Sequence, residues 1–196
     1  MMSRAQLISP GYVGEQRALH ALPQGYGGKG RKWADTVRWL VSHYEASSVL
    51  DYGCGQGSLV ATLTTDQAES GLLSAVRFAE YDPSVAGKDA LPSFADIVVC
   101  TDVLEHVEPQ LLDNVLRHLR QLARKAVLLV VALDPANKTL SDGRNAHLIL
   151  ESADWWAERV ARAGFSFDDV VPQLPLPVAY GQPDKREKRW IAVVRP

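Results

Sequence analysis

The segment SSVLDYGCGQGSL, residues 47–59, places three glycines directly after a short apolar run that ends in an acid. The glycines stand at alternate positions, Gly53, Gly55 and Gly57, and the acid is Asp51. Glycine lets the chain turn tightly and lets a ligand approach the backbone, and a helix that starts there presents N–H groups to a polar or anionic group. The pattern predicts a site for a nucleotide-like cofactor. A tight turn without a ligand is the alternative that the glycines alone leave open.

Further acids follow the next apolar runs of the chain. Asp82 stands 25 residues after Gly57, just past the segment SAVRFAEY, where a carboxylate can accept both hydroxyls of a ribose. The segments DALP and CTDVLEHVEP add more acids and a histidine behind later runs. If these runs are parallel strands, all of these groups lie at one rim of the sheet, where ligands of such sheets bind.

The elements that must position these groups alternate between strands and helices. Residues 1–31 are glycine-rich and predicted to be irregular. Strands are predicted at 48–52, in SAVRFAEY, in ADIVVCTD and in KAVLLVVALD, and helices at 32–44, at 57–66, in EPQLLDNVLRHLRQLA and from a Ser152 cap to Gly164. The last two strands, FSFDDVV and KRWIAVV, have no helix between them and should pair antiparallel. The fold class is therefore α/β: one domain with a doubly wound, mostly parallel Rossmann-like sheet and an antiparallel pair at its C-terminal end.

Length, charge and cysteine content limit the classes of protein to which the chain can belong. A chain of 196 residues suits one domain, and a net charge of −2 gives no strong field for nucleic acid or a membrane surface. Cys54 and Cys100 are the two cysteines, and so few cysteines predict free thiols in a reducing compartment. The N-terminus lacks the apolar core of a signal peptide, and no apolar run reaches the ~18–20 residues of a membrane span. We expect a cytoplasmic protein that contacts no membrane, and the composition does not favour nucleic acid as its partner.

The set VLDYGCGQGSL, EYDPS, DALP and DIVVCTDVLEHVEP resembles the class I S-adenosylmethionine-dependent methyltransferases, especially members that act on small molecules. The resemblance covers roughly residues 49–165 and includes the late segment AHLILESADWWAERVARAGF. It implies S-adenosyl-L-methionine as the cofactor. A nicotinamide-dependent dehydrogenase is the alternative for a glycine-rich loop in this fold, but its glycines usually run G-x-G-x-x-G, whereas here they run G-x-G-x-G.

The resemblance also implies which residues bind the cofactor. They are Asp51, Tyr52, Gly53, Gly55 and Gly57 at the methionine part, Asp82 and Pro83 at the ribose, Asp89 and Ala90 at the adenine edge, and Thr101, Asp102, Val103 and His106 at the strand end beneath the cofactor.

The chain departs from the family pattern between Asp82 and Asp96. Only 13 residues separate these two acids, whereas a parallel crossover with a helix needs at least ~10–12 residues besides the strand itself. We therefore predict that one helix and one edge strand are missing. The match of Asp89 then depends on DALP alone.

Methyl transfer is an in-line displacement that needs no metal, and the protein mainly holds the acceptor near the methyl group. We accordingly predict no metal ligands. A hydroxyl or acidic N–H acceptor also needs a base, and the candidates are His106 and His147. Packing at a helix entrance is the alternative role of His106, and a helix-cap or surface position is that of His147.

Two further segments supply candidate substrate-binding residues. YGGKGRKW contributes Tyr26, Lys29, Arg31 and Trp33, whose cations suit a carboxylate or phosphate, with a solvated arm as the alternative. The loop SDGRNAH contributes Arg144 and Asn145, with a plain turn as the alternative.

The sequence thus predicts an N-terminal arm or lid at 1–31 and a methyltransferase domain at 32–196. The predicted enzyme methylates an oxygen or nitrogen of a small polar metabolite. Two other functions stay open: a protein that binds the cofactor without transferring methyl, as a sensor or partner-dependent subunit, and a methyltransferase for nucleic acid or a nucleotide-linked substrate. The identity of the acceptor and the oligomeric state are not predicted.

Overall fold

A computed structural model describes residues 6–21, 27–71, 73–178 and 188–196. Within these ranges no helix combines the length and the apolar character that crossing a lipid bilayer requires. The described helices are α1 (Pro10–His20), α2 (Ala34–His43), α3 (Ser58–Ser70), α4 (Leu112–Leu122) and α5 (Ala153–Arg162). The strands are β1 (Ser48–Tyr52), β2 (Arg77–Tyr81), β3 (Ala95–Thr101), β4 (Ala123–Ala132), β5 (Ser166–Asp168) and β6 (Arg189–Arg195).

The strands form one six-stranded sheet in the order β2-β1-β3-β4-β6-β5. The first four strands in that order are parallel, whereas β6 runs antiparallel to both β4 and β5. This arrangement confirms the predicted α/β fold with an antiparallel pair at the C-terminal end. Strand order reverses beside β1, because β2 lies on one side of it and β3 on the other. The loops after β1, β2 and β3 therefore meet at one rim.

Apolar patterning explains why these segments fold as they do. Every residue from Ala126 to Ala132 in β4 is buried, as expected for a central strand covered on both faces. One core cluster includes Leu116 of α4 and Trp156 of α5, and a second cluster includes Leu40 of α2 and Leu59 of α3. The sheet is thus covered on both faces, and its carboxyl-end rim remains available for a site.

The segment between β2 and β3 confirms the predicted shortening. Residues 82–94 contain turns and extended chain but neither a helix nor a strand. Strand β2 consequently pairs with β1 alone and forms the edge of the sheet. A hydrogen bond from Asp82 N to Lys88 O, 2.9 Å long, closes a compact turn from which the chain returns to the start of β3.

The prediction that residues 1–31 are irregular is wrong for 10–20, which form α1. Ser9 caps this helix by accepting a hydrogen bond from Tyr12 N, and Pro10 occupies the first turn, where its missing N–H costs little. Only Tyr12, Gln16 and Leu19 are buried in this helix, so its apolar pattern is too sparse to identify it from sequence. Its stability depends on contacts with distant segments instead. A 3-10 turn, Gly30–Trp33, then leads into α2.

Candidate functional site

The loop after β1 contains three glycines, Gly53, Gly55 and Gly57, which leave its backbone without side chains; we call it the glycine cradle. Gly53, Gly55 and Gly57 have φ values of 77°, 51° and 79°, a region that side chains other than glycine rarely adopt. A Cβ on Gly53 would collide with Val103, and a Cβ on Gly55 would lie 2.6 Å from the carbonyl oxygen of Gly27. The fold therefore requires glycine here for its backbone angles and for the close approach of neighbouring chain.

Asp82 lies beside this loop, as predicted. Its carboxylate accepts hydrogen bonds from Gly55 N (3.0 Å), Ser84 N (2.9 Å) and Ser84 Oγ (2.6 Å). A carboxylate has about four acceptor positions, so a ribose hydroxyl can still bind to it. The side chain is held rigidly, since it is buried and fixed to two different segments. Pro83 follows within the same turn.

Asp51 is buried beneath the loop, at the end of β1. Burial is the main reason that its pKa is raised to about 7; the nearby Glu80 carboxylate adds to the rise and Lys88 opposes it. Lys88 Nζ lies 3.0 Å from Glu80 Oε2 and 3.4 Å from the carbonyl oxygen of Gly55. Glu80 and Lys88 were not among the residues predicted from the sequence. The parallel register that pairs Asp51 with Glu80 is the signal that could have identified the first of them.

The segment after β3 packs against the glycine loop. Thr101 ends β3, Val103 covers Gly53, and Asp102 between them has a φ of 56°. Such strain in a residue other than glycine is typical of functional sites. Asp102 Oδ2 lies 2.7 Å from Lys32 Nζ, and Asp102 Oδ1 lies 3.4 Å from Arg189 Nε. Neither cation was among the residues predicted from the sequence.

His106 and His147 lie together at this rim. Their ring centroids are 4.7 Å apart and the ring planes meet at 79°. Nδ1 of His106 is 2.8 Å from the carbonyl oxygen of Ala146, and Nδ1 of His147 is 2.5 Å from that of Asp134. Because a carbonyl oxygen can only accept, each ring carries its proton on Nδ1 and has Nε2 as the basic nitrogen.

Burial controls the charge of both histidines. It lowers the pKa of His106 to about 4, with a further contribution from His147, and it also lowers the pKa of His147. Both shifts favour the neutral form of the ring, in which Nε2 carries no proton, and the low pKa of His106 makes His147 the stronger base of the two.

The predicted substrate-binding residues are only partly assembled. Tyr26 lies outside the described residues, and Lys29 and Arg31 are exposed at the 3-10 turn. Trp33 is completely buried in the core. This placement corrects its assignment, because the indole has no surface left for a substrate.

The two candidates in the SDGRNAH loop contact the loop itself and nearby backbone. Arg144 is exposed and its guanidinium lies 2.7 Å from Asp142. Asn145 exchanges two hydrogen bonds of 2.9 Å with the backbone of Ala136 and accepts a third from His147 N. Asn145 therefore fixes the position of His147.

The residues predicted at the adenine edge lie at the surface of the described part of the chain. Asp89 and Ala90 are both exposed and follow directly after the turn closed by Asp82 and Lys88. Tyr52 is buried, and its hydroxyl lies 3.0 Å from Nδ1 of His118. These positions place Asp89 near the rim and Tyr52 within the core beneath it.

A family model described as a methyltransferase domain matches residues 26–170 of the chain. No curated protein matches the chain significantly by sequence.

Several solved structures share the fold. The 1,6-didemethyltoxoflavin-N1-methyltransferase of Burkholderia thailandensis, with 1,6-didemethyltoxoflavin and S-adenosylhomocysteine bound, is 18% identical, with a TM-score of 0.59 over 97% of this chain and 92% of that one. DhpI in complex with SAH is 20% identical, with a TM-score of 0.54 over 96% of this chain and 98% of that one. The mitomycin 7-O-methyltransferase MmcR is 15% identical, with a TM-score of 0.56 over 83% of this chain; the chain spans about half, 52%, of its length. Each of these is a likeness of fold.

Proposed function

Because the chain belongs to the class I S-adenosylmethionine-dependent methyltransferases, we propose that it methylates an oxygen or nitrogen atom of a small polar molecule. S-adenosylmethionine is the cofactor of this enzyme and supplies, when bound, a methyl group on a sulfonium. The residues present fit it: Gly53, Gly55 and Gly57 match the loop that holds the amino-acid tail in this family, and Asp82 retains an acceptor position for a ribose hydroxyl. Asp51 beneath the cradle supplies a carboxylate near the amino group.

The pair of neutral imidazoles is the observation that carries the proposal. His106 and His147 lie at the rim next to Asp102 and have Nε2 as their basic nitrogens. A hydroxyl or amine acceptor must lose a proton around the time of methyl transfer, and a neutral histidine is suited to remove it. His147 lies in a loop whose backbone Asn145 fixes, whereas His106 ends the 3-10 turn Leu104–His106.

Charged side chains around the histidines support a polar acceptor. Lys32 pairs with Asp102, and Arg189 pairs with Asp134 at 2.7 Å. These groups offer donors and acceptors in a half-buried region, where hydrogen bonds to charged groups are strong. An apolar acceptor would leave them without hydrogen bonds to it.

Helix α1 supports a small acceptor over a polymer, because it covers the rim. Tyr12 donates to the carbonyl oxygen of His106 (2.7 Å), and Arg17 donates to that of Ser84 (3.3 Å). Glu15 accepts hydrogen bonds from the backbone N–H (2.9 Å) and hydroxyl (2.5 Å) of Ser141. One helix thereby joins three segments of the rim and restricts access for a nucleic acid strand.

The proposal is tested by a screen for methyl uptake. The protein is incubated with methyl-labelled S-adenosylmethionine and pools of hydroxylated or amine-bearing metabolites, and both labelled product and S-adenosylhomocysteine are measured. We expect turnover with a small polar acceptor and none with RNA or DNA. Calorimetric binding of the cofactor without transfer to any pool would instead favour a non-catalytic protein, and labelling of nucleic acid would refute the acceptor class.

With an acceptor in hand, His147→Gln tests the role of the imidazole. We expect kcat to fall by about 10²–10⁴-fold, the usual contribution of a general base, while the Kd for S-adenosylhomocysteine stays unchanged. His43→Gln is the matched control, since His43 is an exposed histidine on α2, far along the chain from the rim. Unchanged kcat in His147→Gln would remove this residue from the catalytic group.

A further inference from the structure

Three side chains at the rim converge in a way that proton transfer alone does not require. One possible metal-ligand atom from each of Glu105, His106 and His147 lies within 4.8 Å of the other two. A tetrahedral ion with bonds of about 2.0–2.2 Å needs ligand atoms about 3.4 Å apart. The upper limit of 4.8 Å lies about 1.4 Å above that spacing, so the three side chains already approach the arrangement that one ion requires.

The backbone already orients both rings as in metal sites. Metal-binding histidines almost always donate their second ring N–H to a carbonyl or carboxylate, which fixes the tautomer. Here Nδ1 of His106 bonds the carbonyl of Ala146, and Nδ1 of His147 bonds that of Asp134. Both rings are thus held with Nε2 as the nitrogen that can coordinate.

Glu105 supplies the second, independent observation. Its side chain is completely buried, and Oε1 accepts a hydrogen bond of 2.9 Å from Ala132 N. Oε2 is also buried and has no hydrogen-bond partner among the described residues. A buried carboxylate oxygen without a hydrogen bond costs free energy of folding, so Oε2 is expected to have a further binding partner.

Electrostatics favours a cation as that partner. The Glu105 carboxylate is completely buried and lies near the Asp102 carboxylate, and burying a negative charge without a positive partner is costly. The neighbouring cations are already engaged: Lys32 with Asp102, and Arg189 with Asp134. A positive ion at the cluster would stabilise the ionised carboxylate that burial otherwise disfavours.

We propose that Glu105, His106 and His147 bind one divalent transition-metal ion such as Zn²⁺. Two imidazoles and one carboxylate suit Zn²⁺ or Fe²⁺ and not Mg²⁺, which prefers oxygen ligands. Three protein ligands leave a coordination position open, as in catalytic zinc sites. This inference departs from the sequence-based expectation of no metal ligands.

The inference concerns the site of the proposed function but does not depend on methyl transfer. With an ion bound, His147 is a ligand, and the ion lowers the pKa of an acceptor hydroxyl at the open position. Ion binding can be measured without cofactor or acceptor. If the protein binds no metal ion, the proposed methyl transfer is not refuted. If it transfers no methyl group, the metal site is not refuted.

The experiment is calorimetric titration of the untagged, chelator-treated protein with Zn²⁺ at pH 7.5, followed by Co²⁺ absorption spectroscopy. We expect one ion per chain and visible Co²⁺ bands of a low-coordinate site. Glu105→Gln and His147→Gln should each weaken Zn²⁺ binding by more than about 100-fold, beyond the 10–100-fold effect of removing an outer partner. His43→Gln should bind Zn²⁺ like the wild type.

His147→Gln keeps the test decisive if the buried Glu105→Gln variant does not fold, because His147 lies in a loop. Circular dichroism confirms the fold of each variant. The inference is overturned if the wild type takes up no stoichiometric Zn²⁺, or if folded His147→Gln binds it with the wild-type Kd and the same Co²⁺ spectrum.

Discussion

Replacing Asp82 by asparagine tests the cofactor site most directly. The substitution keeps the size of the side chain and one acceptor oxygen but removes the negative charge. Asp82 accepts three hydrogen bonds from Gly55 and Ser84 in the structure, so its position is fixed before any cofactor binds. We predict that a ribose hydroxyl donates to this carboxylate and that Asp82→Asn weakens cofactor binding.

The size of the effect follows from the kind of bond that is lost. A hydrogen bond to a charged group contributes about 1.5–3 kcal/mol, so Asp82→Asn should raise the Kd about 10–150-fold. Ser84→Ala is the matched control. It removes the 2.6 Å bond from Ser84 Oγ to the same carboxylate but leaves the negative charge, so its Kd should stay within about threefold of the wild type.

The assay is calorimetric titration of each variant with S-adenosylhomocysteine, with thermal unfolding to confirm the fold. A folded Asp82→Asn protein with the wild-type Kd would refute the ribose assignment. Equal weakening in Asp82→Asn and Ser84→Ala would also count against it, because the effect would then arise from the order of the turn and not from the charge.

Two further predictions concern stability. The pKa of Asp51 is about 7 in the folded state and about 3.9 in the unfolded state, so the folded state binds more protons between these values and becomes less stable as pH rises. In the wild type the free energy of unfolding should therefore fall by about 3 kcal/mol between pH 5 and 8, and Asp51→Asn should abolish this fall. Urea unfolding measures it, and an identical pH dependence in both proteins would contradict the prediction. Tyr12→Phe removes the hydroxyl that donates to the carbonyl of His106 and accepts from Gln16, so it should lower the free energy of unfolding by about 1–3 kcal/mol. An unchanged urea midpoint would show that this hydroxyl does not stabilise the position of α1.

The glycine loop and its neighbouring acid could be predicted because their signals are local. Tight backbone conformations at Gly53 and Gly55 demand glycine at those positions, and a buried strand must be apolar over its own few residues. The loss of a helix and an edge strand before β3 could also be predicted, since the 13 residues between Asp82 and Asp96 cannot contain both. Each of these features is fixed by chain length, burial or backbone angle within a short stretch.

The charged part of the rim was decided by tertiary structure. Arg189 reaches Asp102, 87 residues earlier, because β6 inserts antiparallel beside β4, and no local pattern specifies that neighbour. Residues 29–33 supplied Lys29, Arg31 and Trp33 as candidates, yet packing buries Trp33 and brings Lys32, which had not been selected, to Asp102. The amino-acid sequence by itself determined the sheet and its cofactor loop, because burial and glycine geometry act over a few residues. Only the folded chain determined which side chains meet at the rim, because strand order and helix packing bring together groups that are distant in sequence.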